Sequence, residues 1–186
     1  MILIIDCGSS KTSAIKDVIN SLGVSCHPVK LPLLTEAHIS KANGIIISGA
    51  PILLTESYPI LFAERFSFLK SISIPVLGIC FGHQVLGLVF GETVFKGEEV
   101  RRSEQINFMF DDPLTQGIPL TSSFTEEHTE GIGLPDDDFF LLASSAHYEV
   151  EAMKHKKKNI YGVQFHPEVS GELGKKLLGN FCGMCK

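Results

Sequence analysis

The chain has 186 residues, of which 44% are hydrophobic and 20% charged, with a net charge of −5 at pH 7. This composition predicts one globular domain over residues 1–186, and the negative charge argues against partners such as nucleic acid or an anionic membrane. No apolar run reaches the roughly 20 residues that a bilayer span needs, no signal peptide is evident, and five irregularly spaced cysteines suit reduced thiols, so we expect a cytoplasmic protein.

The first half of the chain alternates strand-like and helix-like segments. We predict, in order, a strand at residues 1–6, a helix at 14–22, a strand at 24–29 interrupted by Pro28, a strand at 44–48, a helix at 58–70 and a strand at 74–79. In the helix at 58–70, Leu61, Phe62, Phe66 and Leu69 are expected to face inward. This alternation predicts an α/β fold with a doubly wound, mostly parallel sheet and flanking helices, which binds its ligands at the carboxyl ends of the strands.

The second half of the chain has a different pattern, with short strand-like runs separated by turns. We predict strands at residues 93–95, 105–110, 122–126, 139–143, 148–155 and 159–165, followed by a terminal helix at 172–181. This half is therefore expected to be richer in antiparallel β structure.

Cys80 stands between Gly78 and Gly82 where the strand at 74–79 meets a helical pattern. Gly-x-Cys-x-Gly at such a junction has the form of a nucleophile elbow, in which a strained turn lifts the nucleophile out of the sheet. The backbone N–H of Phe81 is then free to act as an oxyanion donor, and the start of the helix favours the thiolate form of a cysteine.

A cysteine nucleophile needs a base, and the base needs an orienting group. Among the seven histidines, His166 follows a strand pattern directly and precedes Pro167 and Glu168. A carboxylate two residues away can hold one imidazole nitrogen while the other faces the thiol, as in a Cys–His–acid triad. His83 is expected to pack or cap locally, whereas His128 fits either a surface turn or a substrate-contacting loop.

No metal site or cofactor site is predicted. Residues 182–185, Cys-Gly-Met-Cys, have a metal-like spacing, but no second Cys or His pair accompanies them. A loose C-terminal tail is the better interpretation. The turn at residues 6–10 lacks the glycines of a phosphate-binding loop.

Two motifs closely resemble those of the class I (triad) glutamine amidotransferases. They are residues 78–84, Gly-Ile-Cys-Phe-Gly-His-Gln, and residues 162–168, Gly-Val-Gln-Phe-His-Pro-Glu. The resemblance covers essentially the whole chain, and residues 150–153 and 160–169, with Gly174, Asn180 and Phe181, look most like the glutaminase part of the GMP synthases.

The resemblance implies hydrolysis of L-glutamine to glutamate and ammonia through a thioester on Cys80. His166 would move the protons, and Glu168 would orient His166. Because 186 residues leave no room for an ATP-using acceptor domain, the ammonia is expected to pass to a separate synthetase partner.

The remaining site residues also follow from the resemblance. Backbone N–H groups of Ala50 and Phe81 would form the oxyanion hole, whereas Gly49, Gln84 and His128 would contact the substrate. The chain departs from the family at two places. Ala50 stands where the family has glycine in Ser-Gly-Gly-Pro, and residues 127–130, Glu-His-Thr-Glu, replace Ser-His-Gly-Asp.

Two alternative functions stay open at this point. One is a γ-glutamyl hydrolase that uses the same triad on peptides or conjugates. The other is a catalytically silent regulatory module that keeps the fold, which the altered residues Ala50 and Thr129 would permit.

Overall fold

A computed structural model describes residues 1–134 and 137–185 of the chain. The predicted single domain also includes residues 135, 136 and 186, which lie outside the described residues. The strands are β1 (Ile2–Asp6), β2 (Cys26–Lys30), β3 (Gly44–Ile47), β4 (Val76–Ile79), β5 (Val94–Val100), β6 (Ser103–Phe108), β7 (Thr121–Thr125), β8 (His128–Ile132), β9 (Phe139–Ser144), β10 (Ala152–His155) and β11 (Ile160–Val163). The α-helices are α1 (Thr12–Ser21), α2 (Glu36–Ser40), α3 (Pro59–Arg65), α4 (Phe81–Val89) and α5 (Gly171–Met184).

Within the described residues, nine strands form one sheet in the order β2-β1-β3-β4-β11-β10-β9-β6-β7. The strands from β2 to β11 pair in parallel, whereas β11, β10, β9, β6 and β7 pair antiparallel. A separate antiparallel ribbon joins β5 to β8. The predicted α/β fold with a mostly parallel first half and an antiparallel second half is confirmed.

Helices cover both faces of the parallel strands because successive side chains of a strand point to opposite faces. Ile2 and Ile4 of β1 pack in the core that includes residues of α1 and α5. Leu3 and Ile5 pack in the other core, which includes residues of α4. Their nearly complete burial explains why this strand is apolar throughout.

Pro28 does not interrupt the second strand, contrary to the prediction. It pairs with Ile4 within β2, which lies at one edge of the nine-stranded sheet. An edge strand tolerates proline because the missing N–H group has no neighbouring strand to bond.

Two predictions about the ends of helices were wrong. The helix predicted at 58–70 ends at Arg65 and continues as a 3₁₀ turn, Ser67–Lys70. Leu61 is 58% exposed, since this short helix packs through Phe62, whose ring meets that of Phe81 edge-on at 5.2 Å. Of the residues predicted to form a loose tail, Cys182 to Met184 instead complete α5, and Cys182 and the following Cys185 pack against the core.

Tyr148 lies against the β5–β8 ribbon, where two glycines leave room for its ring. A Cβ atom at Gly97 would stand 2.5 Å from the Tyr148 hydroxyl, and one at Gly131 would stand 2.6 Å from its ring. The hydroxyl lies 2.6 Å from the carbonyl oxygen of Glu98 and 3.0 Å from that of Thr129. Tyr148 therefore holds the two strands of the ribbon together.

The junction between β4 and α4 allows no side chain at its glycines. A Cβ atom at Gly78 would stand 2.5 Å from the carbonyl oxygen of Gly82, and one at Gly82 would stand 2.4 Å from that of Ile47. Because both obstacles are backbone atoms, neither can move aside alone. The glycines thus let α4 start directly against β3 and β4.

We predict that Gly82→Ala lowers the free energy of unfolding by about 1–3 kcal/mol, since the added methyl overpacks the junction. Gly183→Ala is the matched control, because Gly183 lies in α5 with nothing within 4 Å of its Cβ position. That change should stabilise the chain by less than about 1 kcal/mol through helix propensity. Denaturant unfolding measures both, and equal effects of the two substitutions would contradict the prediction.

Candidate active site

Cys80 occupies the strained turn between β4 and α4. Its backbone has φ 52° and ψ −106°, and it is the one non-glycine residue with positive φ in the described part of the chain. Its N–H donates to the carbonyl oxygen of Val163 at 2.8 Å, which ties the turn to β11. Such strain costs about 1–3 kcal/mol and persists only where the surroundings enforce it. The structure thus places Cys80 on a turn of the predicted elbow form.

His166 and Glu168 follow β11 and lie beside Cys80. The imidazole Nδ1 lies 2.8 Å from the Glu168 carboxylate, and both side chains are buried. The His166 N–H donates to the carbonyl oxygen of Thr125 at 2.8 Å. Burial alone would lower the pKa of His166, but the Cys80 side chain and Glu168 together raise it to about 10. Cys80 and Glu168 therefore favour the protonated form of the ring.

The turn after β3 forms the facing wall of the site. Ser48 is buried, and its hydroxyl accepts from the Cys7 N–H at 2.9 Å. A Cβ atom at Gly49 would stand 3.3 Å from His166 Cε1, so the glycine permits close approach. Ala50 follows Gly49 on the wall of the same cleft.

The cleft has a volume of about 750 Å³ and is bordered by Gly49, Ala50, Cys80, Phe81, Gln84, His128 and His166. All of the sequence-predicted site residues except Glu168 therefore line one cavity, with Glu168 buried behind His166. Phe81 is the first residue of α4, where a backbone N–H has no acceptor within the helix. This N–H is therefore available to a ligand beside Cys80.

His128 lies in a strand, and not in a surface turn or a loop as expected. It begins β8 and is only 7% exposed. Its Nδ1 lies 2.9 Å from the carbonyl oxygen of Glu130, and its ring packs against Tyr148 with centroids 4.5 Å apart. The strand pattern was not recognised because the buried positions His128 and Glu130 of β8 are polar, although their spacing of two is that of a strand face.

Glu127 stands at the mouth of the cleft. Its carbonyl oxygen lies 3.9 Å from the Cys80 sulfur, and its carboxylate pairs with Lys11 and with Arg101, the latter at 3.0 Å. These ion pairs lower the pKa of Glu127, with the Lys11 contact contributing most. Two cations distant in sequence therefore meet on one carboxylate at the rim.

Glu130 anchors the loop that follows residues 48–51, a role that the sequence did not reveal. Its carboxylate accepts from the Leu54 N–H at 2.7 Å, from the Thr55 N–H at 2.8 Å and from the Thr55 hydroxyl at 2.6 Å. The Gln84 amide nitrogen donates to the Glu130 carbonyl at 2.9 Å and to Gln164 Oε1 at 3.2 Å. Gln84 thus borders the cleft, and its amide nitrogen fixes the position of the Glu130 carbonyl in the cleft wall.

Two further acids, Glu126 and Glu151, are buried behind the cleft, and sequence reasoning missed both. Each is 1% exposed. Burial raises the pKa of Glu126 to about 8 and that of Glu151 to about 8, and the two carboxyl groups influence each other. Their separation in sequence gave no signal beyond the two-residue spacing of Glu126 and His128.

His83 packs inside the fold, as expected. It is fully buried on α4, and its Nε2 lies 3.1 Å from the carbonyl oxygen of Val150. Burial, partly opposed by that hydrogen bond, lowers the pKa of His83 to about 3. The ring is therefore neutral in the folded chain at neutral pH.

A family model and curated relatives match this chain over nearly its whole length. The family model described as glutamine amidotransferase class-I matches residues 3–184. A relative from Pyrococcus furiosus, named as a subunit of glutamine-hydrolyzing GMP synthase, is 36% identical, over 100% of this chain and 98% of its own length. A relative of the same name from Methanocaldococcus jannaschii is 34% identical, over 100% of this chain and 97% of its own length.

Solved structures agree with these matches. The crystal structure of a putative GMP synthase subunit from Thermoplasma acidophilum has a TM-score of 0.90 and 29% identity, and the match covers 99% of this chain and 92% of that one. A glutamine amidotransferase from Thermotoga maritima has a TM-score of 0.74 at 23% identity, covering 94% of this chain and 79% of that one, which shows a shared fold. None of the helices in the described residues has the length and apolar character to span a membrane.

We predict that Glu130→Gln loosens the loop at residues 54–55. The amide would point an N–H donor at backbone N–H donors, at a cost of about 1–3 kcal/mol to the local structure. Amide hydrogen exchange of Leu54 and Thr55 should therefore become about 5- to 100-fold faster. Glu56→Gln is the matched control, since Glu56 is exposed and its carboxylate pairs with Lys96 at 3.1 Å. Unchanged exchange in Glu130→Gln would contradict the assignment.

We predict that His83 makes the chain less stable in acid. Below pH about 6.5 the unfolded chain binds a proton that the folded chain refuses until about pH 3, so stability falls as the pH falls through this window. The contribution is up to about 1.4 kcal/mol per pH unit. Denaturant unfolding of wild type and His83→Gln between pH 7 and pH 4 measures it, and a constant difference between the two proteins would contradict it.

Proposed function

The chain belongs to the class-I glutamine amidotransferase family, and on that premise we propose that it hydrolyses L-glutamine to glutamate and ammonia. The reaction would run through a thioester on Cys80, with His166 and Glu168 as its partners. The observation that carries this proposal is the strained Cys80 turn at the start of α4, beside the hydrogen-bonded His166–Glu168 pair.

The first half of the reaction forms the thioester. The Cys80 sulfur attacks the side-chain amide carbon of glutamine while His166 holds the proton that leaves the thiol. The tetrahedral intermediate then collapses as His166 gives this proton to the departing nitrogen, which leaves as ammonia. The raised pKa of His166 supports this role, because the ring keeps the proton until the leaving group takes it.

The second half of the reaction regenerates the thiol. His166, now neutral, removes a proton from water, which attacks the thioester and releases glutamate. Glu168 holds Nδ1 of His166 at 2.8 Å and stabilises the imidazolium each time it forms. This contact supports an orienting role for Glu168 without direct contact with the substrate.

We assign the oxyanion hole to the backbone N–H groups of Phe81 and Ala50, both of which border the cleft beside Cys80. A single donor of this kind is worth about 10²–10³ in rate. Gly49, Gln84 and His128 border the same cleft, and we assign them to positioning the substrate. For Gln84 and His128 the effect is exerted mainly by holding the Glu130 carbonyl in place.

We further propose that the ammonia passes to a separate synthetase partner. Support comes from the relatives named as GMP synthase subunits, which match this chain over nearly their whole length. Free ammonia protonates in water at neutral pH and then loses its nucleophilicity. A docked acceptor with a closed path avoids this loss, and the acceptor reaction would be of the GMP synthase type.

Glutamate release separates the possible functions. We expect wild type to release glutamate, more strongly with a synthetase partner present, and Cys80→Ala to lose at least about 10³-fold in kcat. Glu168→Gln should lose less, because the nucleophile and base remain. Cys26→Ala is the matched control, since this cysteine lies in β2 away from the cleft.

Two outcomes would overturn the proposal. If wild type shows no Cys80-dependent glutaminase under any condition, and an electrophilic glutamine analogue fails to label Cys80, the chain is a silent module. If γ-glutamyl peptides are turned over faster than glutamine, the chain is a γ-glutamyl hydrolase.

A further inference from the structure

Three buried polar side chains, Glu126, His128 and Glu151, converge behind the wall of the cleft. They are 1%, 7% and 1% exposed, and one potential ligand atom from each lies within 4.8 Å of the others. Glu126 lies in the turn between β7 and β8, His128 begins β8, and Glu151 directly precedes β10. Segments distant in the chain therefore bring two carboxylates and one imidazole to a single point.

The hydrogen bonds around His128 determine which of its nitrogens faces the carboxylates. Nδ1 lies 2.9 Å from the carbonyl oxygen of Glu130, which can only accept, so Nδ1 carries hydrogen. In the neutral ring Nε2 then has a free lone pair, and it lies 3.0 Å from Glu126 Oε2, which is also an acceptor. Two acceptors at this distance repel each other unless a positive centre lies between them.

Most of the other acceptors of the cluster also lack a donor when both carboxyl groups are ionised. Among the described residues, no group donates a hydrogen bond to either carboxylate oxygen of Glu126, to Oε2 of Glu151 or to Nε2 of His128. Burying two carboxylates without a compensating charge is costly. The cluster therefore requires either protons or a cation.

We propose that Glu126, His128 and Glu151 form a binding site for one divalent transition-metal ion, with Zn²⁺ as the best-suited ion. Imidazole nitrogen and carboxylate oxygen are both zinc ligands, and zinc sites with three protein ligands can hold water in the fourth position. A Zn²⁺ ion would neutralise both carboxylates and occupy the Nε2 lone pair, which removes the repulsion between Nε2 and the Glu126 carboxylate.

The groups behind the ligands support a metal site. The Nδ1 of His128 is fixed on the Glu130 carbonyl, which orients Nε2 inward, and Glu151 Oε1 accepts from the Ser145 hydroxyl at 2.6 Å. Outer hydrogen bonds of this type orient metal ligands in proteins. His128 also borders the cleft, which provides a short route for the ion.

A metal here would brace the segment that touches both Cys80 and His166. The Thr125 carbonyl accepts from the His166 N–H, and the Glu127 carbonyl lies beside the Cys80 sulfur. Metal binding is a property of the cluster alone, and it stands whether or not the chain hydrolyses glutamine.

The test is titration of the EDTA-dialysed full chain with ZnCl₂ in competition with a chromogenic chelator. We expect one tight equivalent per chain and a rise in the midpoint of thermal unfolding. Glu126→Gln and Glu151→Gln, which keep the side-chain volume, should each weaken binding at least about 10-fold. Glu172→Gln is the matched control, because Glu172 lies exposed on α5.

Cobalt distinguishes this cluster from the thiols of the chain, at Cys80 and at Cys182 and Cys185. A Co²⁺ ion on Glu126, His128 and Glu151 gives no sulfur-to-metal absorption in the near ultraviolet, whereas a thiolate site does. The binding of one metal ion per chain should also persist in Cys80→Ala and in Cys182→Ala.

Two results would overturn the proposal. The first needs only the titration of the wild-type chain. If wild type binds no Zn²⁺ above the chelator background, the carboxyl groups share a proton instead. If the single bound Zn²⁺ is lost in a cysteine variant but kept in Glu126→Gln and Glu151→Gln, the metal binds to sulfur. Circular dichroism of each variant confirms that lost binding does not come from unfolding.

Discussion

The site depends on one constraint, the strained backbone of Cys80 between a buried strand and a helix. A residue with positive φ at this position relaxes unless its neighbours hold it, and here they do so on three sides. The Cys80 N–H bonds to Val163 in β11, while Gly78 and Gly82 let α4 approach the backbone of β3 and β4 without a gap. The central parallel strands are therefore the rigid frame that the elbow needs, and their burial offsets its strain.

Around this frame, the electrostatics of the site separate into two zones. On the cleft side, His166 is kept protonated by its partners, Cys80 and Glu168, in spite of its burial. Behind the cleft, deep burial raises the pKa values of Glu126 and Glu151, whereas an ion pair would lower them. The same β7–β8 turn borders both zones, so changes in one can reach the other through the backbone at residues 125–130.

The parts of the fold and site that could be predicted from the sequence are those encoded locally. A glycine on each side of Cys80, and Glu168 two residues after His166, place the key groups without knowledge of the tertiary structure. The polar face of β8 was not predictable in this way, because His128 and Glu130, with Glu126 just before the strand, have the spacing of a strand but not its apolar character. Glu151 meets them only through the pairing of β9, β10 and β11, which no local pattern specifies. Similarly, the face of α3 was misjudged because its short length and its packing on Phe81, rather than its periodicity, decide which side is buried.

Tyr148 offers a final consequence of how the ribbon is built. Its ring fills the space that Gly97 and Gly131 leave open, and it also packs on His128. A larger residue at either glycine requires a smaller residue at position 148, and at Gly131 the Phe95 ring must also move, because it would stand 2.9 Å from the new Cβ atom. The effects of substitutions at positions 97, 131 and 148 are therefore expected to be non-additive. In an evolving lineage, Tyr148 would have to become smaller before either glycine could be replaced. This epistasis links the composition of a surface ribbon to the setting of a residue in the cleft.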